Sequence, residues 1–194
     1  MEKRKPVMLD EDVYARLKQS RVDISKETGK KLTFGDIIKK LLTRDLRLLH
    51  LDIGIKNYIS LFVSKISLNK NVLGIMLFGS VAKGNFSKYS DIDIAIIAND
   101  SFPNAFTAVN KAIYSLKEEK KRLLEDRGLY LRINPLILKI GSLDKLEPIY
   151  FDLVDYGVPL FERGAVLTDF IDNIEKIKYS RKFTESGEVL EWKV

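Results

Sequence analysis

Two apolar segments separated by a short polar stretch constrain this chain more than any other feature. Val72 to Phe78 reads VLGIMLF, an unbroken apolar run of strand length. Gly79 and Ser80 follow at once, then Val81, Ala82, Lys83 and Gly84, then a polar stretch to Ser90. After it comes Asp91-Ile-Asp-Ile-Ala-Ile-Ile, ending at Ile97. Side chains two apart on a strand share a face, so Asp91 and Asp93 point one way while Ile92 and Ile94 point the other.

Two steps along a strand cover ~6.6 Å, so the two carboxylates can converge on one or two hard cations. Adjacent ionised carboxylates repel, and an Ile-rich strand is a poor place to leave them unpaired. A merely structural pair of aspartates would not need the Gly-Ser turn upstream. That turn suits a nucleotide: Gly79 permits close backbone approach, Ser80 offers a hydroxyl, and a following helix aims free N–H groups at phosphates. Lys83 adds a positive charge nearby, although a solvated lysine is the simpler reading of that residue alone. Composition narrows the chemistry further. The chain has no Cys and a single His, which excludes disulfides, thiolate zinc sites, Cys nucleophiles and multi-His metal centres. Carboxylates, hydroxyls, Lys/Arg and oxygen-bound metals remain. His50 follows Leu46, Leu48 and Leu49 and reads as a helix-end or linker residue.

Taken together, the apolar strand, Gly79-Ser80, the spacer and Asp91-x-Asp93 resemble the polymerase-β-like nucleotidyltransferases. Residues 81–90 separate Ser80 from Asp91, the spacing of the minimal nucleotidyltransferases paired with HEPN toxins. Four fixed residues at ~6% background each coincide by chance in about one chain in several hundred of this length. The resemblance implies an α/β (α+β) fold with a mixed sheet flanked by helices. It implies that Asp91 and Asp93 are the catalytic pair and bind Mg²⁺ (or Mn²⁺), and that an NTP, ATP first, is the substrate. Gly79, Ser80, Lys83 and Arg132 are the implied nucleotide-binding residues. The implied reaction transfers a nucleoside monophosphate to an acceptor hydroxyl, in an antitoxin role toward a HEPN-type partner.

That family carries a third carboxylate on a later strand. The candidate strand here spans 129–138 (LYLRINPLIL), reached through one amphipathic helix over about 102–126, and its polar face shows Tyr130, Arg132 and Asn134. None is acidic. Arg132 matches the third-acid position and Asn134 the other register; an Arg can hold a phosphate, yet it neither ligates a cation nor accepts a proton. Three outcomes follow: a slow or substrate-assisted transferase, one whose third acid comes from elsewhere, or a nucleotide-binding protein without catalysis. Asp144 and Glu147 lie just beyond this strand and read more simply as loop and helix-start acids.

Basic charge is concentrated at the start of the chain. The net charge is +6, and the first 50 residues hold 13 Lys+Arg against 8 Asp+Glu, nearly the whole excess. Such a block suggests a polyanion-facing module or a solvated basic face. Lys5 to Leu9 reads as a short extended segment, and Asp10, Glu11 and Asp12 start a helix that Gly29 ends. Thr33 caps a second helix, with Asp36 as a short-armed capping-box partner and Ile37, Ile38, Leu41, Leu42 and Leu46 as its apolar stripe. Strand, helix and helix in so few residues cannot bury a sufficient core alone. The segment resembles a ribbon-helix-helix domain, which implies a homodimer, a ribbon over residues 4–9 in a DNA groove, and a phosphate grip near Thr33 and Phe34. Arg4 and Thr33 are the implied DNA-binding residues, while Pro6 removes a ladder donor from the reading strand.

The expected organisation is a dimerisation or DNA-binding module over 1–48, a nucleotidyltransferase domain over 49–178 and a tail over 179–194. Within the second, Ile55, Ile59, Phe62, Val63 and Ile66 mark a first helix, 148–156 another, 157–161 an edge strand, and Phe170, Ile171, Ile174 and Ile177 a last helix. Ser, Lys, Thr and Glu dilute the apolar residues of the tail, in which Trp192 either docks or frays. No run reaches the ~20 apolar residues of a membrane span, and the charged start lacks a signal-peptide core. A cytoplasmic protein is expected. The competing reading is a DNA-binding regulator whose transferase fold is degenerate and only binds a nucleotide.

Overall fold

The computed structural model describes residues 10, 11, 14, 15, 17, 18, 21, 22, 33–36, 38, 48, 50–99, 102–184 and 187–193. It separates into two units, Met1–Leu46 and Arg47–Val194. In the first, the described residues between 11 and 22 and between 34 and 38 are helical. The capping box forms: the Asp36 N–H donates to Thr33 Oγ1 at 3.2 Å, and the Thr33 N–H donates back to Asp36 Oδ2 at 2.8 Å. Phe34 lies against Tyr14 with ring centroids 5.4 Å apart and under the Arg21 guanidinium at 4.5 Å. Arg4 and the expected ribbon lie outside the described residues.

The larger unit begins where Asp52 accepts a hydrogen bond from the Gly54 N–H at 2.7 Å and caps α1, Ile53–Ile66. Ile55, Tyr58, Ile59, Phe62 and Ile66 recur at helical spacing and are all buried. The two apolar segments become the antiparallel strands β1 (Val72–Phe78) and β2 (Asp91–Ala98), with the short helix α2 (Gly79–Lys83) between them. Helices α3 (Phe102–Ser115) and α4 (Lys117–Arg127) then cross back, so that β3 (Arg132–Lys139) runs parallel to β2. After a 3₁₀ turn at Ile140–Ser142 come α5 (Pro148–Tyr156), β4 (Val158–Glu162), α6 (Val166–Glu175) and a hairpin of β5 (Lys178–Thr184) and β6 (Gly187–Lys193).

The main sheet has the order β3-β2-β1-β4, with β2 and β3 parallel and the other pairs antiparallel. This is the mixed sheet flanked by helices that the sequence implied. Both prolines of the sheet, Pro135 in β3 and Pro159 in β4, fall on its edge strands, where a residue without an N–H is best tolerated. One face packs Ile75, Leu77, Ile92, Ile94 and Ile96 against α1, Val109 and Leu123. The other packs Met76, Phe78, Ala95 and Ile97 against Tyr150, Phe151 and Leu153 of α5 and Leu167, Phe170 and Ile174 of α6. Each fully buried Ile or Leu contributes about 1.5–3 kcal/mol, so β1 and β2 are the stable centre of the fold. Asp91 and Asp93 belong to the second face, at the end of β2 where helix cover stops. Among the described residues no helix is long and apolar enough to cross a membrane.

Two elements differ from the sequence reading. The single helix expected over 102–126 is two helices: Leu116 turns fully into the core, and Glu118 and Glu119 supply first-turn acids to a fresh helix start. The diluted stretch from Lys178 folds as the hairpin. An isolated two-stranded hairpin is marginal in water, and here α5 holds it. Phe151 packs on Tyr179 and Trp192, with ring centroids 4.3 and 5.5 Å apart. Arg181, only 12% exposed, pairs with Asp152 at 2.9 Å and Asp155 at 2.7 Å.

Tyr179 donates its hydroxyl proton to Asp155. Burial first, and then that bond and the Asp155 charge, push its pKa from 10.0 to about 12. A folded pKa above the unfolded one means a contribution that is complete below pH 10 and lost as pH climbs toward about 12. The urea midpoint is therefore expected to fall across this window, and to fall less steeply in a Tyr179→Phe variant; identical slopes would refute the assignment.

Candidate active site

Because β1 and β2 are antiparallel, the end of β1 lies beside the start of β2, and Phe78 pairs with Asp93. The Gly-Ser turn and the Asp-x-Asp strand are thereby brought to one end of the sheet. Gly79 takes a left-handed φ of 72°, which L side chains rarely adopt. A Cβ on it would also collide with Asp93 Oδ2. The absent side chain of Gly79 is the space that the Asp93 carboxylate occupies.

Helix α2 is closed at its far end by Gly84, whose N–H returns to the Ser80 and Val81 carbonyls. His50 Nε2 donates to the Val81 carbonyl at 2.8 Å. The sequence reading missed this contact, since a lone His carries no spacing signal. Ser80 is half-buried, and its hydroxyl has no protein hydrogen-bond partner among the described residues. The Lys83 ammonium lies over the Tyr156 ring, 4.1 Å from its centroid, and the Arg181 guanidinium faces the same ring at 5.4 Å.

The parallel register of β2 with β3 sets Arg132 opposite Asp91 and Asn134 opposite Asp93. Arg132 forks onto Asp91, with Nε at 2.6 Å from Oδ1 and Nη2 at 3.2 Å from Oδ2. Asn134 Nδ2 donates to Asp93 Oδ1 at 2.8 Å. The hydrogen bond to Asp91, followed by its charge, raises the Arg132 pKa further above its ordinary value, so the guanidinium stays protonated. Arg132 is 71% exposed and Asp91 30%. Just before the two strands begin, the Tyr89 and Tyr130 rings lie together, with centroids 5.2 Å apart.

Asp144 and Glu147 come after the far end of β3: Arg132 opens that strand opposite Asp91, Lys139 closes it, a 3₁₀ turn follows, and Glu147 immediately precedes α5. Among the described residues no group of three or more His, Cys, Asp and Glu could hold a metal ion. The site therefore offers two carboxylates, one cation and one amide. That donor set fits a single hard cation that brings its own further oxygen ligands, as Mg²⁺ does with water and phosphates. Thr33 belongs to the first unit and caps its helix.

A family described as nucleotidyltransferase domain matches residues 57–179. Among solved structures, a toxin-antitoxin with AMP-PNP is similar at 20% identity and a TM-score of 0.35, covering 62% of this chain and 84% of that one. A mutant of the toxin-antitoxin MntA-HpeT is similar at 19% identity and a TM-score of 0.34, covering 62% of this chain and 83% of that one. No curated protein matches the chain. With well over half of its length matched by that family, including the Gly-Ser turn, the Asp-x-Asp strand and the strand beside it, the chain belongs to the nucleotidyltransferase domain family.

Proposed function

We propose that this chain is a Mg²⁺-dependent nucleotidyltransferase that takes a nucleoside monophosphate from an NTP, ATP first, and joins it to an acceptor hydroxyl. The observation that carries the reading is the fit between Gly79 and Asp93. A left-handed glycine whose side-chain space holds a carboxylate ties the phosphate-type turn to the Asp-x-Asp strand. Asp91 and Asp93 hold the cation, which supplies Lewis-acid stabilisation of the charge developing on the phosphates. Gly79 and Ser80 take the triphosphate, with Lys83 and Arg132 adding positive charge on either side of it. The acceptor oxygen bonds to the α-phosphorus as the α–β bridging bond breaks, and pyrophosphate leaves. Neither Arg132 nor Asn134 accepts the acceptor's proton, so it passes to a phosphoryl oxygen in a substrate-assisted, slow reaction.

The ten-residue spacer between Ser80 and Asp91 supports a minimal transferase acting on a hydroxyl of a HEPN-type partner, as an antitoxin. The second reading, a regulator that binds nucleotide without transfer, is favoured by the Arg132–Asp91 fork, which replaces a third carboxylate with a cation. A labelled-NTP assay with the partner protein as acceptor decides between them. Incorporated label supports transfer; tight nucleotide binding without label supports the regulator. For the first unit, a dimerising ribbon-helix-helix module with Arg4 and Thr33 on DNA is proposed from its sequence and its basic charge.

Three outcomes are expected. Calorimetry on Asp91→Asn/Asp93→Asn shows loss of Mg²⁺-dependent NTP binding, and unchanged affinity removes the metal-site assignment. Gly79→Ala, strained at its φ and crowding Asp93, weakens MgATP binding at least tenfold and lowers stability by roughly 1–2 kcal/mol in a thermal melt. Deleting residues 1–45 abolishes the dimer in sedimentation and weakens DNA binding; a persistent dimer with unchanged DNA affinity sinks the module's proposed role.

A further inference from the structure

Arg132 is paired with one half of the proposed metal site. Its fork, at 2.6 and 3.2 Å, engages both oxygens of Asp91. A cation ligated by Asp91 has to share these two oxygens with the guanidinium or displace it. The position is also fixed by the fold: Leu131 is fully buried and Ile133 6% exposed, so β3 commits Arg132 to the carboxylate face. The side chain itself is 71% exposed, so its guanidinium can leave Asp91 without breaking packing.

The charges decide what can replace it. A free divalent cation meets a guanidinium already occupying its ligand, and the two like charges repel. A metal–triphosphate complex carries net negative charge, and its phosphate oxygens offer the guanidinium the planar, bidentate partner it is giving up. Asn134 leaves Asp93 as the one carboxylate without a cationic partner in the four-residue cluster, too little on its own for a hard cation that seeks six oxygens.

We infer that Arg132 is a specificity-determining residue: it makes the Asp91/Asp93 site refuse a free divalent cation and accept one that arrives with a nucleotide's phosphates. This rests on the reading of the two aspartates as the metal pair. Arg132 is an internal counter-ion for Asp91 in the absence of nucleotide and a phosphate ligand in its presence. Metal loading is then ordered, with the nucleotide as the carrier.

The test uses Mn²⁺ as a paramagnetic probe, alone and with a non-hydrolysable ATP analogue, on the full chain, Arg132→Gln and Asp91→Asn/Asp93→Asn, each checked by a melting curve. Arg132→Gln is expected to bind free Mn²⁺ roughly two- to fivefold more tightly, as removal of an exposed ion pair allows. It is expected to bind the Mn²⁺–analogue complex about tenfold more weakly, having lost a charged hydrogen bond to phosphate. Shifts in opposite directions support the inference. An unmoved free-Mn²⁺ affinity, or two shifts of the same sign, overturns it while leaving the metal pair standing, provided the double aspartate variant loses the complex. Retention of the complex by that double variant, or failure of the unaltered chain to bind Mn²⁺ even with the analogue, overturns both.

Discussion

The pairing of Phe78 with Asp93 at the open end of the β1–β2 ladder is the constraint on which the rest of the site depends. It places the end of one buried strand beside the start of the next, and the chain turns out of β1 into α2 at the helix's first residue. Gly79 makes that turn at a φ of 72°. Any other residue there would carry strain and press into the Asp93 carboxylate. One residue thus serves both the turn and the space for the acid, so fold and site cannot be altered separately.

Around this point the structure holds helix α2 from two sides. His50, from the segment before α1, donates to the Val81 carbonyl. Lys83 rests on Tyr156 at the end of α5, and Arg181 of the hairpin faces the same ring. Asp152, one turn before Tyr156 in α5, and Asp155, next to it, bind Arg181. The hairpin is therefore joined to the Gly-Ser helix through one aromatic ring. An exposed cation–π contact such as that of Lys83 is worth about 0.5–1 kcal/mol, enough to bias the position of the side chain.

The other half of the site follows from the β2–β3 register. In a parallel pair with fixed register, a cationic and an amide side chain stand opposite the two acids. The repulsion that two neighbouring carboxylates would otherwise suffer is offset by the Arg132 fork and the Asn134 bond. Such compensation lets two acids occupy the end of an otherwise apolar strand. It also gives the cluster a resident cation beside the two acids.

Much of this was legible in the residues themselves. The strands at 72–78 and 91–97, the alternation that puts Asp91 and Asp93 together, and the glycine after a buried strand all follow from local patterning, because strand period and glycine's conformational freedom act over a few residues. The split at Leu116 and the hairpin after Lys178 did not show. Leu116 leaves its helix to fill the core, and the hairpin stands on Phe151, Asp152 and Asp155, which are distant in the chain. Sequence determined that Arg132 and Asn134 share one face of their strand. Only the tertiary structure decided that Arg132 closes on Asp91 while Asn134 holds Asp93, because register between strands 41 residues apart is set by packing of both sheet faces and by no local signal.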